Sequence, residues 1–156
     1  MKKWNSYEEI ADWSSAMIPR LISAFGLSYW FKIVYEMSDD LPTNSMGSFS
    51  LKFDDETGEA YGLIKVSADL INKKDILATI LHELIHGHCV AFCTMELMGK
   101  GITKEEFNEA IKKEQLHDGI FAKRCRDIGF GGDMSSTKPK PALIKKLLSL
   151  DFETDL

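Results

Sequence analysis

Apolar residues recur at Ile10, Trp13, Met17 and Leu21, the three-to-four spacing that lines one face of a helix. Ser6 and Glu9 stand ahead of that stripe with capping-box spacing, so a helix is predicted from residue 6 to about 25, with Pro19 expected to kink or split it. The period then shortens. Residues 31–37 (FKIVYEM), 48–53 (SFSLKF) and 61–66 (YGLIKV) are short runs of β-forming side chains, and the segments 38–47 and 54–58 between them are rich in Asp, Pro, Asn and Gly. This pattern predicts a three-stranded antiparallel meander.

The longest apolar segment, residues 76–97, predicts a central helix that starts at about 72 or 75 and ends at Gly99-Lys100-Gly101. Its positions Leu77, Ile80, Leu81, Leu84, Ile85, Phe92 and Met95 crowd one broad face, with His82 and His86 near the opposite side. His88 falls on the apolar face, about 200° from His86, and is expected to be a core histidine. Thr103 and Glu106 cap a further helix through about residue 114, another fits 118–128 before Gly129, and 142–150 suits a short terminal helix after a loop at 131–141. The expected fold is α+β, a small antiparallel three-stranded sheet packed on the central helix with further helices on either side.

Composition narrows the class. At 156 residues, 44% hydrophobic and 28% charged, the chain suits one compact core, with residues 1–130 expected as the domain and 131–156 as a linker and short terminal helix. His82, Glu83, His86, His88 and Glu96 interrupt the apolar segment, and the first residues lack the apolar stretch of a secretory signal, so a cytoplasmic protein with no membrane partner is expected. Three cysteines, Cys89, Cys93 and Cys125, form no CxxC pair and read as free thiols packed as small hydrophobes. The net charge of -5 disfavours a polyanionic partner. Local basic clusters at Lys112-Lys113, at Lys123, Arg124 and Arg126, and at Lys138, Lys140, Lys145 and Lys146 read as solvated faces, and DNA, as a partner of the isolated chain, is expected to bind weakly.

The candidate chemistry lies inside the central helix. Residues His82-Glu83-Leu84-Ile85-His86 form the HExxH pattern, which chance produces in a chain this long on the order of half a percent of the time. Positions four apart lie roughly 40° apart around a helix, so both imidazoles can grip one zinc ion while Glu83 acts on water. A catalytic zinc takes three protein ligands and one open position, so a third ligand must come from elsewhere. Phe92, six residues past His86, excludes the extended pattern that places a third histidine there. Glu96, Glu105, Glu106, Glu109 and Glu114 are available, as in small regulatory metallopeptidases with a Glu ligand. His117 is the better candidate, because it opens the predicted helix at 118–128, where Ile120, Phe121 and Ile128 can dock on the core. Cys89, three residues past His86, leaves open a non-catalytic, zinc-stabilised interaction module with four closed ligands.

The HExxH helix, the later His117-Asp118-Gly119-Ile120-Phe121 helix start and the small sheet before them resemble the SprT-like zinc metallopeptidases, the Spartan-related proteases. The resemblance spans about residues 6–129 in layout and lies specifically in the two motifs. It implies a zincin-like fold in which His82, His86 and His117 bind zinc, Glu83 is the general base and Phe121 is the aromatic packing residue of the second motif. The zinc ribbon that follows the protease domain in many relatives has no counterpart in this sequence. The implied activity is peptide-bond hydrolysis by metal-activated water on a protein or peptide substrate, including proteins associated with DNA. The strand at 61–66, just ahead of the active helix, is expected to be the sheet edge that holds an extended substrate, and Tyr61 and Arg124 are candidates for stabilising the oxyanion.

Overall fold

The computed structural model of the chain describes residues 6–42, 45–98, 100–114, 119–133 and 137–152. Ser6 caps α1 (Tyr7–Ala24), its hydroxyl accepting the Glu9 N–H at 3.2 Å, and the helix runs through Pro19 without splitting. The predicted stripe is its inner face, since Ile10, Met17 and Leu21 are buried and Trp13 packs against them.

Three strands follow: β1 (Lys32–Ser38), β2 (Gly47–Phe53) and β3 (Ala60–Ser67). Their runs match the sequence reading, but their order does not. The sheet is mixed, in the order β1-β3-β2, with β1 parallel and β2 antiparallel to β3. A meander would put β2 in the middle. Two features favour the observed order. The connection from Ser38 to Gly47 is too long for a tight hairpin and can cross the roughly 10 Å occupied by two strand spacings. The most buried strand, β3, takes the centre, where both its edges are paired and its inner face of Gly62, Ile64 and Val66 is buried. Ser67 N–H to Met46 O and Ala68 N–H to Ser38 O, both 2.8 Å, tie this crossing end. Gly62, Ile64 and Val66 share the inner face with Phe49 and Ile33, while Tyr61, Lys65 and Glu36 belong to the outer one.

Asn72 caps α2 (Lys73–Met98), accepting the Lys74 N–H at 2.9 Å. From Ile76 to Ala91 this helix is enclosed by sheet and helices, with Leu77, Ile80, Leu81, Leu84 and Ile85 fully buried. Contrary to the expectation from sequence, it is long and apolar enough to cross a membrane, because an 18-residue stretch keeps a mean hydropathy of 1.5 despite its polar residues. That stretch is 83% buried inside the fold, as a core helix would be. The predicted apolar face ends early: Phe92 and Met95 are 43% and 53% exposed, since α2 runs past the sheet in its last two turns.

The remaining helices are α3 (Lys104–Glu114), α4 (Gly119–Ile128) and α5 (Pro141–Phe152). Thr103 and Glu106 cap α3 reciprocally, with Glu106 N–H to Thr103 Oγ1 at 3.1 Å and Thr103 N–H to Glu106 Oε1 at 3.4 Å. Phe121 and Cys125 dock α4, whereas Ile120, expected to help, is 59% exposed. Short strands β4 (Phe130–Gly131) and β5 (Lys138–Pro139) pair where a loop was expected, and α5 packs Leu143 and Leu147 into the same core. Asp151 of α5 accepts from Trp13 Nε1 at 2.6 Å and Lys73 Nζ at 2.5 Å, joining α5 to α1 and to the start of α2.

Candidate metal and catalytic site

Because the middle of α2 lies in the core, its polar residues in the HExxH stretch are buried as well: His82, Glu83 and His86 are 8%, 6% and 4% exposed. Buried polar groups are costly unless something engages them, so their surroundings bear directly on their role. His82 Nδ1 lies 2.7 Å from Thr137 Oγ1. The His82 ring is met edge-on by Phe121, with centroids 5.1 Å apart, and by Phe130 at 6.3 Å. His86 stacks on Phe121, with centroids 3.7 Å apart and planes 7° from parallel. The second helix therefore does deliver Phe121 onto the histidine pair.

The two imidazoles are 5.1 Å apart between centroids, with planes inclined by 71°. Two rings that each reach one ion at about 2.1 Å, at a tetrahedral angle, would have centres about 5.2 Å apart. The pair thus fits a shared zinc ion. Among the described residues, no three His, Cys, Asp or Glu side chains are grouped as a metal site, and His117 lies outside those residues. Glu83 Oε2 stands 4.0 Å from His82 Nε2, and burial pushes the Glu83 carboxyl up to about 8.

These residues open on a cleft of about 930 Å³. Asp75, Thr79, His82, Glu83 and His86 of α2 form its floor. One wall is the start of β2, from Ser45 to Phe49, and the other is Thr137, Lys138, Pro139 and Ile144. The edge strand beside the candidate site is therefore β2. The strand at 61–66, expected to hold that place, is the centre of the sheet with partners on both sides. The bonds Ser67 N–H to Met46 O and Asp54 N–H to Glu59 O put the even-numbered residues of β2 in the hydrogen-bonded pairs. By alternation, the backbone N–H and C=O of Gly47 and Phe49 turn away from β3.

Two glycines set the distance between β2 and α2. A Cβ on Gly87 would come 2.7 Å from Phe49 Cε2, and one on Gly47 would come 2.8 Å from Thr79 Cγ2 and 3.2 Å from Glu83 Cγ. Neither oxyanion candidate lines the cleft: Tyr61 belongs to the outer face of the sheet, and Arg124 lies over the Phe92 ring at 5.6 Å. Glu96, Glu105, Glu106 and Glu109 are exposed and do not line the cleft, and the side chain of Glu114, the fifth candidate, lies outside what the structure describes. Cys89 and Cys125 are buried, and burial, followed by the neighbouring Cys89 and Glu83, pushes the Cys125 thiol up to about 12. His88 is 3% exposed and accepts the Ser28 N–H at Nδ1 over 3.1 Å, the core histidine its position implied.

Thr137, Phe130 and Gly47 escaped the sequence reading. Thr137 stands between a Ser-rich stretch and a Lys-Pro repeat, where no periodicity marks it. The one available clue was chemical: an imidazole that binds a metal through one nitrogen needs an acceptor for the other. Comparison of the chain with protein-family models, curated proteins and solved structures finds no match.

Proposed function

We propose that this protein is a zinc-dependent metallopeptidase built on an SprT-like, zincin-type plan, with His82, His86 and His117 as ligands and Glu83 as general base. The observation that carries the reading is the pair of buried imidazoles, 5.1 Å apart, opening with Glu83 onto a cleft beside an edge strand. His117 is the third ligand in this reading because it precedes α4 by two residues, and α4 is the helix that lays Phe121 on His86. At the start of α4, Gly119 has φ 56, a backbone region suited to glycine.

Zinc held by these histidines would supply Lewis acidity, polarising a peptide carbonyl and acidifying water. Glu83, beside the histidine pair at the cleft, takes the proton from the attacking water and returns it to the leaving amine. An extended peptide lies along β2, exchanging backbone hydrogen bonds with Gly47 and Phe49, which makes recognition tolerant of side-chain sequence. Its scissile bond then sits over Glu83, beside Gly47. Protein substrates, including DNA-associated ones, fit this mode.

Metal analysis and proteolysis together test the proposal. Wild type should hold one zinc per chain and cleave a denatured casein-like substrate, and Ala at His82, His86 or His117 should each lose the ion. Glu83→Gln should keep both zinc and fold while losing nearly all cleavage, because the amide preserves shape and cannot accept the proton. Full zinc retention by His117→Ala would remove the third-ligand assignment. Equal cleavage by wild type and Glu83→Gln would remove the mechanism.

A further inference from the structure

We infer that Thr137 is the positioning residue of His82, accepting its Nδ1 proton so that the Nε2 lone pair faces the cleft. The consequence for zinc rests on the metallopeptidase reading; the effect on the imidazole does not. Three observations converge. Thr137 Oγ1 lies 2.7 Å from His82 Nδ1, a short hydrogen bond across 55 positions of sequence. Nε2 is the nitrogen on the Glu83 side, 4.0 Å from its Oε2, in the residues that line the cleft. A small clip delivers the hydroxyl: β4 and β5 place Pro139 opposite Phe130, and Lys140 N–H bonds Gly129 O at 2.9 Å.

The clip acts on the ring twice. Phe130, fully buried, closes one edge of the His82 ring at 6.3 Å, and Phe121 closes another at 5.1 Å, so the imidazole has little room to turn. Thr137 offers Nδ1 a hydroxyl oxygen that can accept its proton. A ligating imidazole coordinates through the nitrogen that lacks the proton, so with Nδ1–H held by Thr137 the metal-facing nitrogen is Nε2. Phe130, Thr137 and Pro139, far from HExxH in sequence, thereby become part of the candidate centre.

The test compares wild type with Thr137→Val, which exchanges the hydroxyl for a methyl of similar size, and with Thr137→Ser, which keeps it. The first readout is ¹⁵N NMR of the His82 ring in metal-free protein, at a pH where the ring is neutral. Wild type and Thr137→Ser should show the Nδ1–H form, and Thr137→Val should move toward Nε2–H. The second is zinc affinity by competition with a chelator, expected to fall about 10- to 100-fold in Thr137→Val and to be largely restored in Thr137→Ser. Unchanged ring-nitrogen shifts in Thr137→Val would overturn the inference, as would unchanged affinity against a wild type that binds zinc. Should wild type take up no zinc, the metallopeptidase reading falls, and the nitrogen shifts alone decide the role of Thr137.

Discussion

Glu83 shows how much one residue's surroundings determine. An unfolded chain titrates this carboxyl near 4.5, whereas the folded, metal-free protein holds its proton up to about 8. Between those values the unfolded state has released a proton that the folded state keeps, so this group makes stability fall as pH rises through the window. His88 works in the other direction: burial first, then the Arg124 charge, lowers its pKa, so its contribution to stability is lost as pH falls below about 6.5. The two slopes overlap, and a variant isolates them better than a single curve. Metal-free Glu83→Gln should therefore be more stable than metal-free wild type at pH 8 and nearly equal to it at pH 4.5, as read by thermal unfolding. A constant difference across that range would refute the burial account. At this scale the sequence revealed what local spacing encodes. His82 and His86 declare themselves by lying four apart on one helix with Glu83 next to the first, and His88 by its angle from them. Thr137 does not, because it lies 55 positions from His82 and their relation exists only in the folded chain.

Between elements, β2 and α2 approach closely, and each contributes a glycine to the contact. Gly87→Ala gains about 1 kcal/mol of helix propensity but forces a methyl into the buried Phe49 ring and the half-buried Tyr29 ring, an overpacking that costs about 1–3 kcal/mol. The net expectation is destabilisation by about 1 kcal/mol in urea unfolding; a more stable variant would mean that the rings yield without strain. Gly47→Ala meets Thr79, the Lys65 carbonyl and Glu83 at once, so it should reduce peptide cleavage more than it reduces zinc binding. The strands were legible as runs but not as an order, because alternation along a strand marks its faces and says nothing of its neighbours. β1 finds β3 only through a parallel pairing that skips β2, a choice made by burial of the whole sheet. The same reasoning misplaced the substrate edge: proximity of β3 to HExxH in sequence suggested an edge, and the fold put it at the centre. Helix ends fared better, since capping is local, and Ser6, Asn72 and Thr103 each cap the helix that follows them.

At the scale of the whole molecule, Asp151 gathers three helices by accepting from Trp13 and Lys73. Asp151→Ala should cost about 1–3 kcal/mol of stability by denaturant titration, while Asp151→Asn, which can still accept from Trp13, should cost less. Charge is also a property of the whole. The net -5 opposes long-range attraction to DNA, and Lys123, Arg126, Lys138 and Lys140 are individually exposed. Any binding to single-stranded DNA should therefore be weak at physiological salt and fall with a log–log slope of roughly -0.7 per neutralised phosphate. Salt-resistant, submicromolar binding in a titration would contradict this. The clip and α5 also impose a schedule on the molecule's making. A ribosome adding 5–20 residues each second reaches Asp151 roughly 70 residues after His82, on the order of 4–14 s later. Until Asp151 is reached the nascent chain carries HExxH without the complete set of Phe130, Thr137 and the α5 lock, so the surroundings of the histidine pair are completed after the pair itself is translated. On the proposed reading, a centre whose positioning residues are made after its ligands stays idle while its own chain is still an unfolded, cleavable polypeptide.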